Sequence, residues 1–173
     1  PVVINCAGAY SQFIARMAGL EIPYSEERHE IMITEPVAPG VCPCMLMSFS
    51  GNYYIQQSPH GSIMCGMSPA GHPEDFQNKS TWQFIEEMSK ILVRLLPRTK
   101  GIRIARQRAG MQDMTPDAQP IIGETDVKNF YHSTGYSGHG FMLAPVAGKI
   151  LAQHITGKKP DIDFSMLDYR RFT

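Results

Sequence analysis

The stretch Thr134–Gly157, TGYSGHGFMLAPVAGKILAQHITG, decides the fold. It opens on Gly135, Gly138 and Gly140 and then runs apolar from Phe141 to Ile155. Leu143, Val146 or Ala147, Ile150, Leu151 and His154 or Ile155 recur at helical spacing, which predicts a buried helix from Gly140 onward. Thr156-Gly157, two lysines and Pro160 supply its stop. Immediately upstream, Phe130-Tyr131-His132-Ser133 reads as a short strand. A strand, a glycine turn and a helix start offer bare backbone N–H groups, backed by the helix dipole, to a phosphate or to a ring gathering negative charge. The GxxxxGK[ST] pattern of a phosphate loop is absent.

The same grammar appears at the other end of the chain. Pro1–Asn5 (PVVIN) predicts a buried strand, followed by CAGAYSQFIARMAGL. A small-residue turn at Ala7-Gly8-Ala9 leads into a helix with Ala9, Phe13, Ile14, Met17 and Ala18 on one face and Gly19 as its stop. Strand, small turn and helix are the unit of dinucleotide-binding folds.

Between these ends the period changes to that of strands. Glu27–Glu35, Leu46–Ser50, Asn52–Gln57 and Ser62–Met67 read as strands, with Ser58-Pro59-His60-Gly61 as a hairpin turn and Pro69–Pro73 as a loop. Asp75–Leu96 predicts a long amphipathic helix with Phe76, Phe84, Ile85, Met88, Ile91, Leu92 and Leu95 inward, ended by Pro97. Ile102–Gly110 is a further strand, Thr115-Pro116-Asp117 a turn, and Pro120–Gly123 a short apolar strand.

Composition narrows the function. With 173 residues, 43% hydrophobic and 18% charged, the chain can bury a core. Sixteen basic against sixteen acidic residues, with no basic run, argue against nucleic acid or an anionic membrane as partner. No apolar stretch reaches the roughly 20 residues needed to span a bilayer. Eleven methionines and four cysteines suit a reducing, cytoplasmic compartment, with Cys6 and Cys65 expected as packed thiols. Cys42-Pro43-Cys44 lacks a second ligand pair, so no metal is expected; a strained redox pair and two loop thiols stay open as its readings. No serine sits in a GxSxG elbow, so no Ser/His/Asp triad is assignable.

Three motifs in order, NCAGAYS at Asn5–Ser11, TPDAQPIIG at Thr115–Gly123 and GYSGHGFMLAPVAG at Gly135–Gly148, resemble the FAD-dependent amine oxidoreductases of the D-amino-acid oxidase superfamily. Within that superfamily the chain resembles sarcosine oxidase β-subunits and amino-acid dehydrogenases of the dye-linked proline and opine type. The resemblance implies an α+β fold. Residues 1–20 and 110–173 would form part of a glutathione-reductase-like FAD domain, and residues 21–109 an antiparallel substrate domain with a covering helix. The GxGxxG fingerprint of that fold does not occur in the 173 residues. The expectation is therefore a C-terminal portion whose N-terminal dinucleotide-binding half lies elsewhere, with a further subunit as another partner.

The implied chemistry is oxidation of the C–N bond of an amino acid or secondary amine (sarcosine, proline, glycine or an opine) by hydride transfer to non-covalent FAD. The residues implied to contact the cofactor are Ala7, Gly8, Gly110, Thr115, Pro116, Asp117, Gly135, Ser137, Gly138, His139, Gly140, Phe141 and Met142. Among them the backbone amides of Gly138, His139 and Gly140 are expected to face the flavin, with the His139 imidazole as the alternative. Tyr136, His139 and Tyr54 are the candidate catalytic residues. Tyr54, Tyr136, Arg28 and Arg108 are candidates for the substrate, each arginine being otherwise a sheet-edge or surface residue. Gly110 stands where monomeric sarcosine oxidases carry the cysteine bonded to flavin, Met142 where they have a carboxylate-binding lysine, and Met64 near their oxygen-activating lysine. These departures point toward a dehydrogenase, or an oxidase subunit, that passes electrons on. The other class of function is a non-catalytic fragment or small subunit that acts only when assembled.

Overall fold

The computed structural model describes residues 1–68 and 78–172. They form two compact units, Pro1–Glu27 with Gln112–Thr173, and Arg28–Met111. Each unit has its own sheet, so the strands do not close into one barrel.

In the first unit β1 (Val3–Asn5) pairs in parallel with β8 (Phe130–Thr134), and β8 pairs antiparallel with β7 (Ile121–Glu124). α1 (Ser11–Met17) follows β1 through a 3-10 turn at Gly8–Tyr10, and α3 (Gly140–Ile155) follows β8. Two parallel neighbours, each leading through a tight turn into a helix, are what the two small-residue turns predict. The burial is not. Only Ala147, Ile150 and Leu151 of α3 are buried, Ala147 and Leu151 packing with Ile122, while Phe141, Met142 and Val146 are exposed. In α1 the inward residues are Ser11 and Ala15, and the expected Phe13 and Met17 are exposed. β1 is an edge strand with Val3 and Ile4 uncovered on both faces. A uniformly apolar element gives no phase to its periodicity, so the sequence cannot say which stripe finds a partner.

The second unit holds a five-stranded sheet in the order β3 (Leu46–Ser48), β4 (Tyr53–Gln57), β5 (Ser62–Met67), β2 (Ser25–Pro36), β6 (Ile104–Met114). β4 and β5 form the predicted hairpin: Ser58 N–H donates to Ser62 O at 2.8 Å, and Gly61 takes the φ of +95° the turn needs. Along β2 the even positions from Arg28 to Thr34 are buried and the odd ones half-exposed, the period of a sheet covered on one face. The cover is α2 (Trp82–Leu95), whose Phe84, Met88 and Leu92 pack with Met32, Ile55, Ile63 and Cys65. The expected helix from Asp75 is shorter. Residues 75–77, Phe76 among them, lie outside the described residues, and the helix begins at Trp82 because Thr81 caps it, its Oγ1 accepting the Phe84 N–H at 3.2 Å. Leu95 is exposed, and Pro97 opens a 3-10 turn. The four cysteines are free thiols; Cys65 and Cys42 are buried, whereas Cys6, expected to be packed, is exposed on the uncovered edge.

Candidate functional site

The chain leaves β8 into a run of left-handed residues, Gly135 (φ +71°), Ser137 (φ +50°) and Gly138 (φ +86°). Gly135 could not be replaced without displacement, since a Cβ there would stand 2.5 Å from Thr115 Cγ2. Ser137 has no such freedom, and its left-handed backbone costs on the order of 1–2 kcal/mol. Two bonds to the end of β6 offset this: Ser137 N–H donates to Asp113 O at 3.1 Å, and Ser137 Oγ accepts the Thr115 N–H at 3.2 Å. Asp113 adds its carboxylate, whose Oδ2 accepts the Gly135 N–H at 2.6 Å and lies 3.1 Å from Thr134 Oγ1. The Thr134 hydroxyl is in turn 2.7 Å from Ser11 Oγ at the start of α1.

This anchoring decides which amides are bare. His139 N–H donates to Tyr136 O at 2.9 Å and Leu143 N–H to His139 O at 3.3 Å. The His139 amide is thus used inside the turn. Among the described residues, the donors left over are those of Tyr136 and Gly138 in the turn and those of Gly140, Phe141 and Met142, the first residues of α3. Gly138 is left-handed and Gly140 is not; a Cβ at Gly140 would meet the Tyr136 side chain, Cβ at 3.3 Å and Cγ at 3.5 Å. The exposed His139 ring is held by its Nδ1–H, which donates to Ser137 O at 3.0 Å. No acidic residue stands in the first turn of α3, and Phe141 is 99% exposed. Bare amides, a positive dipole end and an apolar flank fit the anionic edge of a flavin ring. Tyr136 is half-buried beside them with its hydroxyl 2.6 Å from Ser133 Oγ; burial pushes its phenol pKa up, and the Asp113 charge adds to the rise.

The Ala7-Gly8 turn follows the adjacent parallel strand and is tied into the same network. Asn5 Oδ1 accepts the Ala7 N–H at 3.3 Å, and Asn5 Nδ2 donates to Ser11 O at 2.8 Å. The Tyr24 hydroxyl accepts the Gln12 N–H at 2.6 Å and lies 3.1 Å from Ala9 O; burial pushes this phenol up to about 12. Of the remaining expected contacts, Thr115 Oγ1 donates to Gln119 O at 2.8 Å and Pro116 lies in the turn between them. Arg171 takes the Asp117 carboxylate with bonds of 2.8 and 3.1 Å, which holds that carboxyl well below the usual range. Gly110 is exposed with open space where a side chain would go.

In the second unit the structure separates the predicted substrate residues. Gln107 reaches Glu30 and Thr81 on the α2 side of the sheet, so Arg108 points to the open face. Tyr54 is on that open face: its ring lies flat on Gly66, where a Cβ would come within 2.4 Å, and it stacks on His29 at 5.6 Å between centroids and 12° between planes. Ser68 Oγ sits 2.9 Å from His29 Nδ1. Arg28 falls on the other side of the strand alternation and is 9% exposed, so it does not join Tyr54 and Arg108. His29 was not singled out from the sequence, where only its alternation with Arg28 and Glu30 could have marked it. Asp113 was also missed, although it lies two residues before a recognised motif.

One further cavity, about 580 Å³ and lined by Ile122, Glu124, His154, Asp163 and Phe164 among others, lies at the far end of α3. Its carboxylates and the negative end of the helix dipole make it a poor place for an anionic cofactor edge. Among the described residues no group of three or more His, Cys, Asp or Glu could hold a metal, and no helix is long and apolar enough to cross a membrane.

The chain is 26% identical to the sarcosine oxidase subunit beta of Rhodobacter capsulatus over 83% of its length and 34% of the relative's. It is 29% identical to the FAD-dependent oxidoreductase domain-containing protein 1 of Xenopus laevis, over 99% of this chain and 38% of that one. The crystal structure of L-proline dehydrogenase from P. horikoshii superposes with a TM-score of 0.87 at 33% identity, covering 99% of this chain and 46% of that chain. The chain thus spans between a third and a half of these relatives. The model of the FAD dependent oxidoreductase family matches residues 1–154, and the chain belongs to that family.

Proposed function

We propose that the chain is the C-terminal portion of an FAD-dependent enzyme that oxidises the C–N bond of an amino acid or secondary amine. The observation that carries this reading is the head of α3, where three bare amides stand on a turn anchored by Asp113 and Thr115. Bound FAD supplies the hydride acceptor. The amides of Gly140, Phe141 and Met142 supply donors to the anionic edge of its ring, each worth about 3 kcal/mol when pre-aimed. Tyr136 walls the same site. Tyr54 and Arg108 face the substrate, the guanidinium pairing with a carboxylate. In this reading Pro1–Glu27 with Gln112–Thr173 serves the flavin and Arg28–Met111 the substrate.

Sarcosine and proline, named for two of the relatives, are both secondary amino acids, which favours that substrate class here. The greater length of the relatives supports a dinucleotide-binding portion of glutathione-reductase type outside these residues. The name "subunit beta" supports a partner chain. A second reading, a unit inactive until assembled, is favoured by the uncovered Val2, Val3, Ile4 and Phe141. Anaerobic addition of sarcosine, L-proline or glycine to the assembled, FAD-loaded enzyme tests the proposal. Bleaching of the flavin absorption by a secondary amino acid supports it, and an oxidised spectrum unchanged by all three overturns it. Met64 in place of the lysine expected of an oxidase predicts faster reoxidation by a quinone or dye than by dioxygen, read as dye reduction against peroxide formed.

A further inference from the structure

The donors at the head of α3 are only as well aimed as the turn beneath them. Its own bonds lie within the turn, from His139 to Tyr136 O and to Ser137 O, and do not fix it to the sheet. What holds it there comes from Asp113, at the end of β6, and from Thr115 just beyond it. Asp113 is 9% exposed, and one carboxylate oxygen receives both the Gly135 amide at 2.6 Å and the Thr134 hydroxyl at 3.1 Å, while its own carbonyl receives the Ser137 amide. The chain Asp113–Thr134–Ser11 continues to the start of α1, where Ser11 O receives Asn5 Nδ2 and Asn5 Oδ1 receives the Ala7 amide. One buried polar network therefore ties together the turns that follow both parallel strands.

We infer that Asp113 is the positioning residue of the cofactor-facing turn: it holds Thr134–Ser137 so that the amides of Gly140–Met142 stay aimed, and through Thr134 and Ser11 it keeps the Ala7-Gly8 turn in register with them. A carboxylate suits this place because one oxygen accepts two donors at once, and a charged acceptor makes the stronger bond. A neutral apolar side chain would leave the Gly135 amide and the Thr134 hydroxyl buried without an acceptor. The inference rests on the reading of the α3 head as a flavin site, but the anchoring itself is measured without flavin.

The experiment uses the ¹⁵N-labelled 173-residue chain, its Asp113→Ala and Asp113→Asn variants, and riboflavin as the probe. In the native chain the Gly135 amide proton is expected far downfield, the mark of a short bond to a carboxylate. Asp113→Ala is expected to remove that shift and to speed exchange of the Gly135 and Ser137 amides by about tenfold or more, leaving β4 and β5 protected. Asp113→Asn keeps an acceptor oxygen and is expected to restore most of the protection. The riboflavin-induced shifts at Gly140–Met142 should then need a several-fold higher ligand concentration in Asp113→Ala than in the native chain or Asp113→Asn. Unchanged exchange at Gly135 in Asp113→Ala overturns the anchoring, as does a loss that Asp113→Asn fails to rescue. Faster exchange with no riboflavin response even in the native chain supports the anchoring and overturns the flavin reading.

Discussion

At Gly135 two constraints coincide: a left-handed backbone, and a Thr115 methyl group where a side chain would begin. Gly135→Ala is therefore expected to cost roughly 2–4 kcal/mol, the sum of the conformational penalty and overpacking. Gly140→Ala, in helical backbone against a 3.3 Å neighbour, should change stability by less than about 1 kcal/mol. Urea unfolding of the two variants checks the contrast, and equal losses would contradict it. His132 sets a pH dependence. It is 1% exposed between Phe130 and Tyr169, its Nδ1 3.4 Å from Asn5 Nδ2, and burial lowers its pKa to about 4. Above pH 6.5 the ring is neutral in both folded and unfolded chains and has no effect. Between pH 6.5 and about 4 the unfolded chain alone takes the proton, so stability falls with pH, by up to about 3 kcal/mol, and then levels off. His132→Gln should flatten that part of the profile of unfolding free energy against pH; an unaltered slope would assign the loss to other groups.

At the scale of elements, α2 is fixed at its start by a fully buried carboxylate. Glu30 on the central part of the sheet accepts the Thr81 amide at 2.7 Å, the Thr81 hydroxyl at 2.8 Å and Gln107 Nε2 at 3.1 Å. Glu30→Ala removes the acceptor of three partly buried donors and is expected to cost about 2–4 kcal/mol, with faster amide exchange in the first turn of α2; a loss below about 1 kcal/mol would contradict the bond count. This bond explains what the sequence could and could not show. The strands β4, β5 and β8 and the helix α3 were legible because turn residues and period are local signals. The start of α2 was misplaced because its cap takes its firmness from Glu30, 51 residues away in the chain. Asp113 was likewise invisible as an anchor, its partner Gly135 lying 22 residues on. Of the amides expected at Gly138, His139 and Gly140, that of His139 is bonded to Tyr136, and Phe141 and Met142 join the unused donors at the start of α3. Arg28 and Arg108 differ by a sheet face that residue type alone cannot distinguish.

Across the whole molecule, apolar residues remain uncovered in the first unit: Val2, Val3 and Ile4 along the β1 edge, Phe13 and Met17 on α1, and Phe141 and Met142 at the head of α3. An unpaired edge strand and exposed aromatic surface favour association. The 173-residue chain is accordingly expected to self-associate with rising concentration in sedimentation velocity, and Val3→Lys with Phe141→Lys to shift it toward monomer; a strict monomer at all concentrations would contradict this. These surfaces are where β1, α1 and α3 depart from the burial their apolar runs predict, since composition alone does not say which apolar face finds a partner. The claim that joins these scales is that the amides heading α3 receive a flavin ring. Its most direct test is a backbone-amide shift map of the labelled chain titrated with riboflavin, which lacks the phosphate that any helix start could attract. Saturable shifts centred on Gly140, Phe141 and Met142, and lost in Gly135→Ala, are the predicted result. Shifts centred instead on the Glu124–His154 cavity, or none at any concentration, would contradict it.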